Sequence, residues 1–369
     1  MASLVSPEKC RATGKGLEVA KLGERTTAVL YVVNIKGIAC TIPVETLTCQ
    51  LVCENADEKI DCSVEKTKAS GQYEISYQAI SQGRHQLHIK VEGKHIIGSP
   101  FPVTVIKTIT EMNQPWGTAI NSKGSIVVAE YGEKCVSIFS PEGEKVKSFG
   151  SEGSGPGQFK WPQGLAVDDD DNILVVDNWN NHIQKFTSDG EFVSGVDNLG
   201  LKSPVGIAIH PHSKMVYVTD SYSDCVKILN PDLTFSSSFG SEGSRSGQFS
   251  SPCGVAFDST GKVYVADSGN HRIQVFTEEG KFLRKFGRKG SGGGGGDFYG
   301  ICIDSKDVVY VTENGNDRIS VFTCEGKFRT SFGSWGRRLG KFNSPCGIAL
   351  DKDDNLHVSD TYNDRLQIF

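Results

Sequence analysis

The amino-acid sequence predicts an all-β protein in which an immunoglobulin-like sandwich is followed by a six-bladed β-propeller. Three observations lead to this prediction. A short phrase built on Pro-x-Gly recurs along residues 115–351 about every 40–50 residues, which is the period of propeller blades. Residues 7–106 lack that phrase and alternate apolar with polar residues, as strands do. No segment combines a sustained helical period with capping residues, so few helices are expected.

Residues 7–106 are predicted to form the sandwich. Three stretches alternate with a period of two, at 26–33, 73–79 and 85–91. Seven or so short strands in about a hundred residues are typical of an immunoglobulin-like domain. These residues contain no tryptophan, and their Lys/Arg and Asp/Glu residues nearly balance. An interaction or spacer module is therefore favoured over an enzyme.

Residues 107–369 are predicted to form the propeller. The phrase begins at Pro115, Pro162, Pro204, Pro252, Phe298 and Pro345. Each copy is followed by an apolar run that ends in an acid, then by a third run, and often by a fourth run that closes on Phe-Gly. Four short strands joined by glycine-bearing turns correspond to one propeller blade. Six copies therefore predict six blades.

Closure of the ring is predicted to depend on a strand that precedes the first blade. The sixth repeat reaches Phe369 with its third strand. Residues 107–112 are expected to supply the fourth strand of the last blade, because that pairing would remove an exposed sheet edge. Truncation of the last strand is expected to unfold the ring or to lower its melting temperature sharply.

Composition limits the class of protein. The chain has 369 residues, a formal net charge of −5 and 22% charged residues, which argues against a generally basic nucleic-acid-binding protein. No apolar stretch approaches the length of about 20 residues that a membrane-spanning helix needs. Eleven cysteines are scattered without the paired spacing of a zinc site or the density of a disulfide framework. A cytoplasmic protein with reduced thiols is expected.

Two motifs carry a resemblance to a known family. The phrase GSPFPVTV (98–105) resembles the filamin repeat. The stretch NHRIQVF (270–276), with related copies at 180–186, 316–322 and 363–369, resembles the NHL repeat, from which repeats one and three depart. A filamin-type repeat followed by NHL repeats is similar to the C-terminal half of TRIM-NHL proteins. The RING, B-box and coiled coil of that family are not found in this sequence, so the resemblance implies a recognition module that is not a ubiquitin ligase by itself.

One side of the propeller is predicted to bind a ligand. Antiparallel strands place the loops between second and third strands on the same side as the connections between blades, and we call this side the loop face. It carries large aromatic side chains, which are common at binding hot spots, and basic residues concentrated in blades four to six. The candidate ligand-binding residues are Trp116, Tyr131, Trp161, Trp179, Tyr222, Arg272, Tyr299, Arg318, Trp335, Arg337, Arg338, Lys341, Tyr362 and Arg365.

Other residues of the loop face are interpreted as structural. The recurring Asn180, Asn270, Asn316 and Asn363 are expected to satisfy loop amides. The acids that end the second strands are interpreted as turn-capping groups, namely Glu130, Asp177, Asp220, Asp267, Glu313 and Asp360. Packing between neighbouring blades stays open as the alternative for any single aromatic residue.

Catalysis is not predicted. The eight histidines form no clear metal-binding set, and the innermost strands carry apolar and small residues where propeller lyases and lactonases hold a metal. No Gly-x-Ser-x-Gly motif is present, and the glycine run Ser291–Gly296 lacks the following lysine of a phosphate-binding loop. We therefore expect no metal, no cofactor and no enzymatic activity.

Two binding functions fit the predicted loop face. The first is recognition of a partner or substrate protein, as the recruiting arm of a ubiquitin-ligase-type protein, because aromatic residues with mixed charge are typical of protein interfaces. The alternative is binding of hairpin or single-stranded RNA, in which aromatic rings stack on bases and Arg318, Arg337, Arg338 and Lys341 contact phosphates. A site dominated by phosphate contacts would need a larger basic excess. The protein partner is therefore favoured, and neither a membrane nor a small-molecule cofactor is expected.

Overall fold

A computed structural model describes residues 5–54, 58–197, 199–287 and 297–369. Within these residues the chain forms β-strands and short 3-10 helices and contains no α-helix, as the sequence predicts; none of those helices is long and apolar enough to cross a membrane. The glycine run Ser291–Gly296 lies outside the described residues. The chain divides into two compact units, residues 1–108 with 368–369 and residues 109–367. The limits 7–106 and 107–369, and the pairing of residues 107–112 with the last blade, stay predictions.

The first unit is a sandwich of two β-sheets. Its strands are β1 (Arg11–Thr13), β2 (Val19–Lys21), β3 (Arg25–Tyr31), β4 (Leu47–Cys53), β5 (Lys59–Asp61), β6 (Ser63–Lys66), β7 (Gln72–Gln78), β8 (Gly83–Val91), β9 (Lys94–His95) and β10 (Phe101–Ile109). One sheet has the order β1-β3-β7-β6; the other contains β10-β8-β4-β5, with β2 paired to β10 and β9 to β8. Alternate residues of β8 point inward, and Leu87, Ile89 and Val91 join the apolar core between the sheets. The period of two that the sequence shows therefore marks the buried face of this sheet.

The second unit is a six-bladed β-propeller. Its strands are β11 (Pro115–Ile120), β12 (Ile126–Glu130), β13 (Cys135–Phe139), β14 (Lys145–Phe149), β15 (Ser151–Glu152), β16 (Gln158–Phe159), β17 (Pro162–Val167), β18 (Ile173–Asp177), β19 (His182–Phe186), β20 (Phe192–Val196), β21 (Pro204–Ile209), β22 (Val216–Asp220), β23 (Cys225–Leu229), β24 (Phe235–Phe239), β25 (Pro252–Phe257), β26 (Val263–Asp267), β27 (Arg272–Phe276), β28 (Phe282–Phe286), β29 (Phe298–Ile303), β30 (Val308–Glu313), β31 (Arg318–Thr323), β32 (Phe328–Phe332), β33 (Pro345–Leu350), β34 (Leu356–Asp360) and β35 (Arg365–Ile368). Blades one to five are sheets of four consecutive strands, such as β11-β12-β13-β14, and the sixth contains β33-β34-β35. The first strands of successive blades are neighbours, and β33 neighbours β11, so the ring closes on itself.

The recurring Pro-x-Gly phrase marks the positions where neighbouring blades approach most closely. A Cβ atom added to Gly117 would lie 2.0 Å from the carbonyl oxygen of Gln163, and one added to Gly347 would lie 2.1 Å from that of Trp116. Only glycine permits such an approach of two backbones. The phrase therefore repeats because each blade needs the same contact at the axis.

Apolar side chains of the strands fill the space between neighbouring blades. All five residues of β18 are buried, because this strand has a neighbouring blade on each side. Three connections between blades also end in a fully buried phenylalanine, namely Phe159, Phe249 and Phe342. These buried side chains hold the C-terminal end of each connection in the core. The loops of the loop face are therefore fixed in position at that end.

Candidate binding face of the propeller

Each second strand ends in a carboxylate that lies buried beneath the loop face. All six of these acids are at most 3% exposed. Asp177 accepts hydrogen bonds of 2.8 Å from the backbone N–H groups of Lys160 and Trp161, and Asp360 accepts one of 2.7 Å from that of Asn343. The donors stand in the connection that leads into the same blade. Glu130, Asp220 and Asp267 accept backbone N–H donors in the same way, so the turn-capping interpretation is confirmed for these five acids; Glu313 accepts from the side chains of Asn316, Arg318 and Ser320.

The recurring asparagine ties the carboxylate to the same connection. Asn180 Nδ2 donates to Asp177 Oδ2 at 2.7 Å and to the carbonyl oxygen of Gly153 at 2.8 Å. The contact with the strand-end acid is repeated by Asn270, Asn316 and Asn363. The Nδ2 groups of all four asparagines are engaged within the loops, which confirms their structural interpretation, although their partners are carboxylate and carbonyl oxygens and not the loop amides that were expected.

Arg272 and Arg365 lie inside the loops and not on their surface. Each is 8% exposed, and Arg365 Nε donates to Asp360 Oδ2 at 2.7 Å. Its other N–H groups donate to three backbone carbonyls of the connection 334–342 at 2.8–2.9 Å. Arg272 makes the same set of contacts with Asp267 and the connection 241–249. The prediction that these two arginines contact a ligand is therefore wrong, because their donors hold a loop in place.

The ion pairs at this position differ in their exposure. Burial raises the pKa of Asp360, although hydrogen bonds from Asn363 and the ion pair with Arg365 act in the opposite direction. In blade five, Arg318 Nη2 lies 2.9 Å from Glu313 Oε2, and the arginine side chain is 36% exposed. Arg318 therefore keeps part of its guanidinium group at the surface, unlike its two counterparts.

Three connections between blades have one conformation: residues 151–159, 241–249 and 334–342. In each, a residue near the start pairs in parallel with the phenylalanine at the end. In each, an asparagine of the blade that follows donates to the carbonyl oxygen of the third residue. The three connections thus share one backbone conformation but carry different side chains. A difference in binding between them can therefore be assigned to the side chains.

The connection 334–342 carries Trp335, Arg337 and Lys341 at positions where the other two connections have no aromatic or basic residue, whereas its Arg338 corresponds to Arg245 of the connection 241–249. Trp335 occupies the position of Glu152 and Glu242, and its side chain is 73% exposed. Exposed basic residues accompany it: Arg337, Arg338 and Lys341. Four of the candidate ligand-binding residues are therefore gathered on one loop whose backbone is fixed from below by Arg365.

Five other candidates form a continuous row across the loop face. The rings of Tyr299 and Trp116 meet edge to face, with centroids 5.5 Å apart. Trp116 lies 6.4 Å from Trp161 in the same geometry. Tyr131 stacks on Trp161 at 4.7 Å, and Trp161 stacks on Trp179 at 5.7 Å. We call these five residues the aromatic row.

The aromatic row runs from the propeller axis to an exposed end. Trp116 and Tyr299 line a cavity on the axis, whereas the ring of Trp179 is 63% exposed. The inner members pack on one another and are half-buried. The two remaining candidates, Tyr222 and Tyr362, are 76% and 54% exposed.

The axial cavity has a volume of about 80 Å³ and little chemical reactivity. Burial raises the pKa of the Cys253 and Cys346 thiols, which line it, to about 12. Burial likewise raises the pKa of the Tyr299 hydroxyl. The described lining contains no carboxylate and no imidazole. These groups stay protonated at neutral pH, so they supply neither a general base nor a thiolate nucleophile.

Comparison with protein families identifies both units. A model of the Filamin/ABP280 repeat matches residues 4–102, and a model of the NHL repeat matches residues 112–139, 159–186 and 249–276. The matched segments follow one another in the order filamin repeat, then NHL repeats.

Several curated proteins resemble part of the chain. Tripartite motif-containing protein 2 of Homo sapiens is 26% identical over 194 residues, which are 50% of this chain and 26% of that protein. Protein brain tumor of Drosophila melanogaster is 30% identical over 145 residues, 38% of this chain and 14% of that protein. E3 ubiquitin-protein ligase TRIM71 of Rattus norvegicus is 32% identical over 123 residues, 33% of this chain and 11% of that protein. The matches thus span at most 26% of these relatives' own length.

Solved structures share the propeller fold at low sequence identity. An auxiliary nutrient binding protein from Bacteroides thetaiotaomicron superposes with a TM-score of 0.57 at 14% identity, covering 99% of this chain and 96% of that one. Virginiamycin B lyase from Staphylococcus aureus gives 0.54 at 15% identity, covering 71% of this chain and 98% of that one. At these identities the likeness concerns the fold alone.

Proposed function

Because this chain carries the filamin and NHL repeats of the TRIM-NHL family, we propose that its propeller is a non-catalytic recognition module that binds a partner protein through the loop face. The observation that supports this most is the aromatic row with its exposed end at Trp179, accompanied by the exposed Trp335. Large aromatic side chains carry much of the binding energy in protein interfaces. The proposed contact residues are Trp116, Tyr131, Trp161, Trp179, Tyr222, Tyr299, Arg318, Trp335, Arg337, Arg338, Lys341 and Tyr362.

The rigidity of the loops favours tight binding. The connection 334–342 is held by Arg365 and Asn363, and the connection 151–159 is held by Asn180. A surface that is already ordered loses little conformational entropy when a partner binds. The buried networks beneath the loops therefore contribute to recognition without touching the partner.

Recruitment for ubiquitination is the proposed biological use of this binding. One relative is named a ubiquitin-protein ligase, and the match covers 11% of it. In this proposal the propeller selects the substrate and a separate catalytic part transfers ubiquitin. The proposed compartment is the cytoplasm, where the eleven free cysteines of the chain stay reduced.

Affinity capture with matched variants tests the protein-binding proposal. Trp179→Ala/Trp335→Ala removes two exposed rings of the loop face. Phe235→Ala/Phe328→Ala is the control, because these rings are 53% and 55% exposed on outer strands of the blades. The wild-type chain and the control are expected to capture the same proteins from a nuclease-treated extract, and binding of a purified captured protein should weaken at least tenfold in the first variant. Equal binding by both variants would refute the proposal.

RNA binding is the second candidate, and the connection 334–342 favours it. An exposed tryptophan beside exposed arginines combines base stacking with phosphate contacts. Blade six alone places Trp335, Arg337 and Arg338 together among the three related connections. The excess of positive charge is confined to the connection 334–342, because the related connections carry the acidic residues Glu152 and Glu242 at the position of Trp335.

A salt-dependent binding assay decides between the two candidates. Arg337→Glu/Arg338→Glu reverses two charges on the loop face, and Lys306→Glu/Lys352→Glu reverses two exposed charges in hairpins of the opposite side. If RNA is the ligand, a random RNA pool binds the wild-type chain and the control variant, binding weakens with salt, and the first variant loses it. Absence of salt-sensitive binding by the wild-type chain eliminates the RNA candidate.

A further inference from the structure

Three side chains of metal-ligating type meet in the sandwich. Cys53 ends β4, Glu58 directly precedes β5, and His85 lies near the start of β8. The strand register places Cys53 opposite His85, and the Cys53 backbone N–H donates to the Glu58 carbonyl oxygen at 3.1 Å. The ligand atoms of the three side chains lie within 4.8 Å of one another. Small side-chain movements would bring all three to one ion.

The cluster lies at the inner face of its sheet. Cys53 is 9% exposed and His85 is 1% exposed, and both belong to the inward-pointing positions of their strands. Glu58 is half-buried at the edge of the same face. A polar cluster in this environment needs its hydrogen-bonding groups satisfied.

The hydrogen bonds around His85 leave more acceptors than protons. Its Nδ1 lies 3.2 Å from the carbonyl oxygen of Gly83, which only accepts, so Nδ1 carries the ring proton. Nε2 of a neutral ring then presents a lone pair, which faces Ser81 Oγ at 3.1 Å. Ser81 Oγ donates its single proton to the Glu58 carboxylate. Among the described residues, the Nε2 lone pair of a neutral His85 then faces the Ser81 oxygen with no proton between them.

A divalent cation would accept the lone pairs of the imidazole, the carboxylate and the sulfur together, because the three ligand atoms already lie within 4.8 Å of one another. The negative charges of a thiolate and a carboxylate balance such an ion.

We propose that Cys53, Glu58 and His85 bind a zinc ion. Zinc accepts sulfur, nitrogen and carboxylate ligands in a tetrahedral arrangement, whereas magnesium and calcium prefer oxygen alone. The hydrogen bond from Nδ1 to a backbone carbonyl is the arrangement that orients zinc-bound histidines. Ser81 Oγ or a water molecule completes the fourth position, and the Cys53 thiol releases its proton when the metal binds.

The site has a structural role in this proposal. β5 has three residues and pairs with β4 at the end of the sheet. A zinc ion would join the start of β5 to β4 and β8, so it would fix a strand that has few contacts of its own. Binding to the folded state alone raises the stability of the sandwich.

The test measures zinc binding by the full chain with zinc as the only added ligand. The wild-type protein is expected to retain about one zinc ion per chain after desalting, and cobalt in its place should give thiolate charge-transfer absorption. Cys53→Ser and Glu58→Gln should each weaken zinc binding about 10–100-fold or more, as loss of ligand support does. Cys40→Ser is the control, because this buried cysteine of the same unit lies outside the cluster.

Any one of three results would overturn the proposal. The first is a folded wild-type chain that retains no stoichiometric zinc. The second is zinc binding that is equally tight in Glu58→Gln, a variant that is expected to fold because residue 58 is half-buried at an edge. A nitrogen NMR spectrum that finds both ring nitrogens of His85 protonated in excess zinc would also refute it.

Discussion

At the residue scale, one arginine fixes the course of a whole loop. Arg365 joins the buried Asp360 to three carbonyls of the connection 334–342, and Arg272 does the same for the connection 241–249. The guanidinium group suits this role because its donors form a rigid fork. In these two blades, the arginine of the motif that resembles the NHL repeat thus fixes the backbone of the preceding connection between blades.

Removal of this arginine should destabilise the propeller. Arg365→Ala leaves Asp360 buried without its charged partner, which typically costs about 3–5 kcal/mol. Denaturant unfolding followed by tryptophan fluorescence measures the loss. Arg337→Ala is the control, because this exposed side chain should change the stability by no more than about 0.5 kcal/mol. Equal stabilities of the two variants would contradict the role given to Arg365.

Acid sensitivity should depend on Asp351 in blade six. Although burial alone would raise its pKa, hydrogen bonds from His357 and Asn355 hold the pKa of Asp351 well below its usual value. The folded-state pKa is therefore lower than the unfolded value of about 3.9. This stabilisation is present above that value and is lost as the pH falls through it towards the folded-state pKa.

Melting temperatures between pH 7 and pH 2 test this prediction. Asp351→Asn should be less stable than the wild-type chain at neutral pH and should lose less of its stability on acidification. Asp353→Asn changes an exposed residue of the same hairpin and should follow the wild-type curve. A wild-type slope in the Asp351→Asn variant would show that other carboxylates govern the acid response.

At the element scale, the blade phrase determines how the blades pack, whereas the connections between blades carry candidate binding residues. The phrase brings the first strands together at the axis through glycines such as Gly117 and Gly347. The connections share a backbone but differ in their side chains, so one fold presents Glu152 on one loop and Trp335 on another. Blade geometry is thus repeated while the candidate binding residues vary.

The glycine of the phrase should tolerate no side chain. In Gly347→Ala the new Cβ would lie 2.1 Å from the Trp116 carbonyl oxygen, and relief requires the two blades to separate. We expect a loss of about 3 kcal/mol, at the upper end of the cost of overpacking. Gly195→Ala is the matched control, because the nearest atom to its new Cβ is 3.6 Å away. Thermal unfolding should separate the two variants, and a wild-type melting temperature for Gly347→Ala would contradict the packing argument.

At the scale of the whole molecule, the ring depends on every blade being complete. Each apolar cluster of the propeller is shared between adjacent blades, as when Ala129 and Ile138 pack with Leu165 and Val175. A blade that loses a strand therefore weakens both of its neighbours. Such coupling makes the ring cooperative.

Deletion of residues 365–369 should therefore unfold the propeller or lower its melting temperature sharply. The deletion removes β35, the neighbour of β34 in the last blade. Calorimetry of the full chain and of the truncated chain measures the effect. Thr108→Pro is a second variant, which removes one backbone donor from the segment predicted to pair with the last blade. An unchanged melting temperature after the deletion would refute the predicted closure.

The sequence by itself determined the fold class, the number of blades and the structural roles of the recurring asparagines and strand-end acids. These features repeat within windows of about 50 residues, so periodicity and turn residues reveal them. Only the tertiary structure decided that Arg272 and Arg365 point inward, that Tyr299 meets Trp116, and that Cys53 lies beside His85. Such contacts join residues far apart in the chain and depend on ring closure and strand register. Local patterning cannot specify them, because a strand's period of two is the same whichever strand it pairs with.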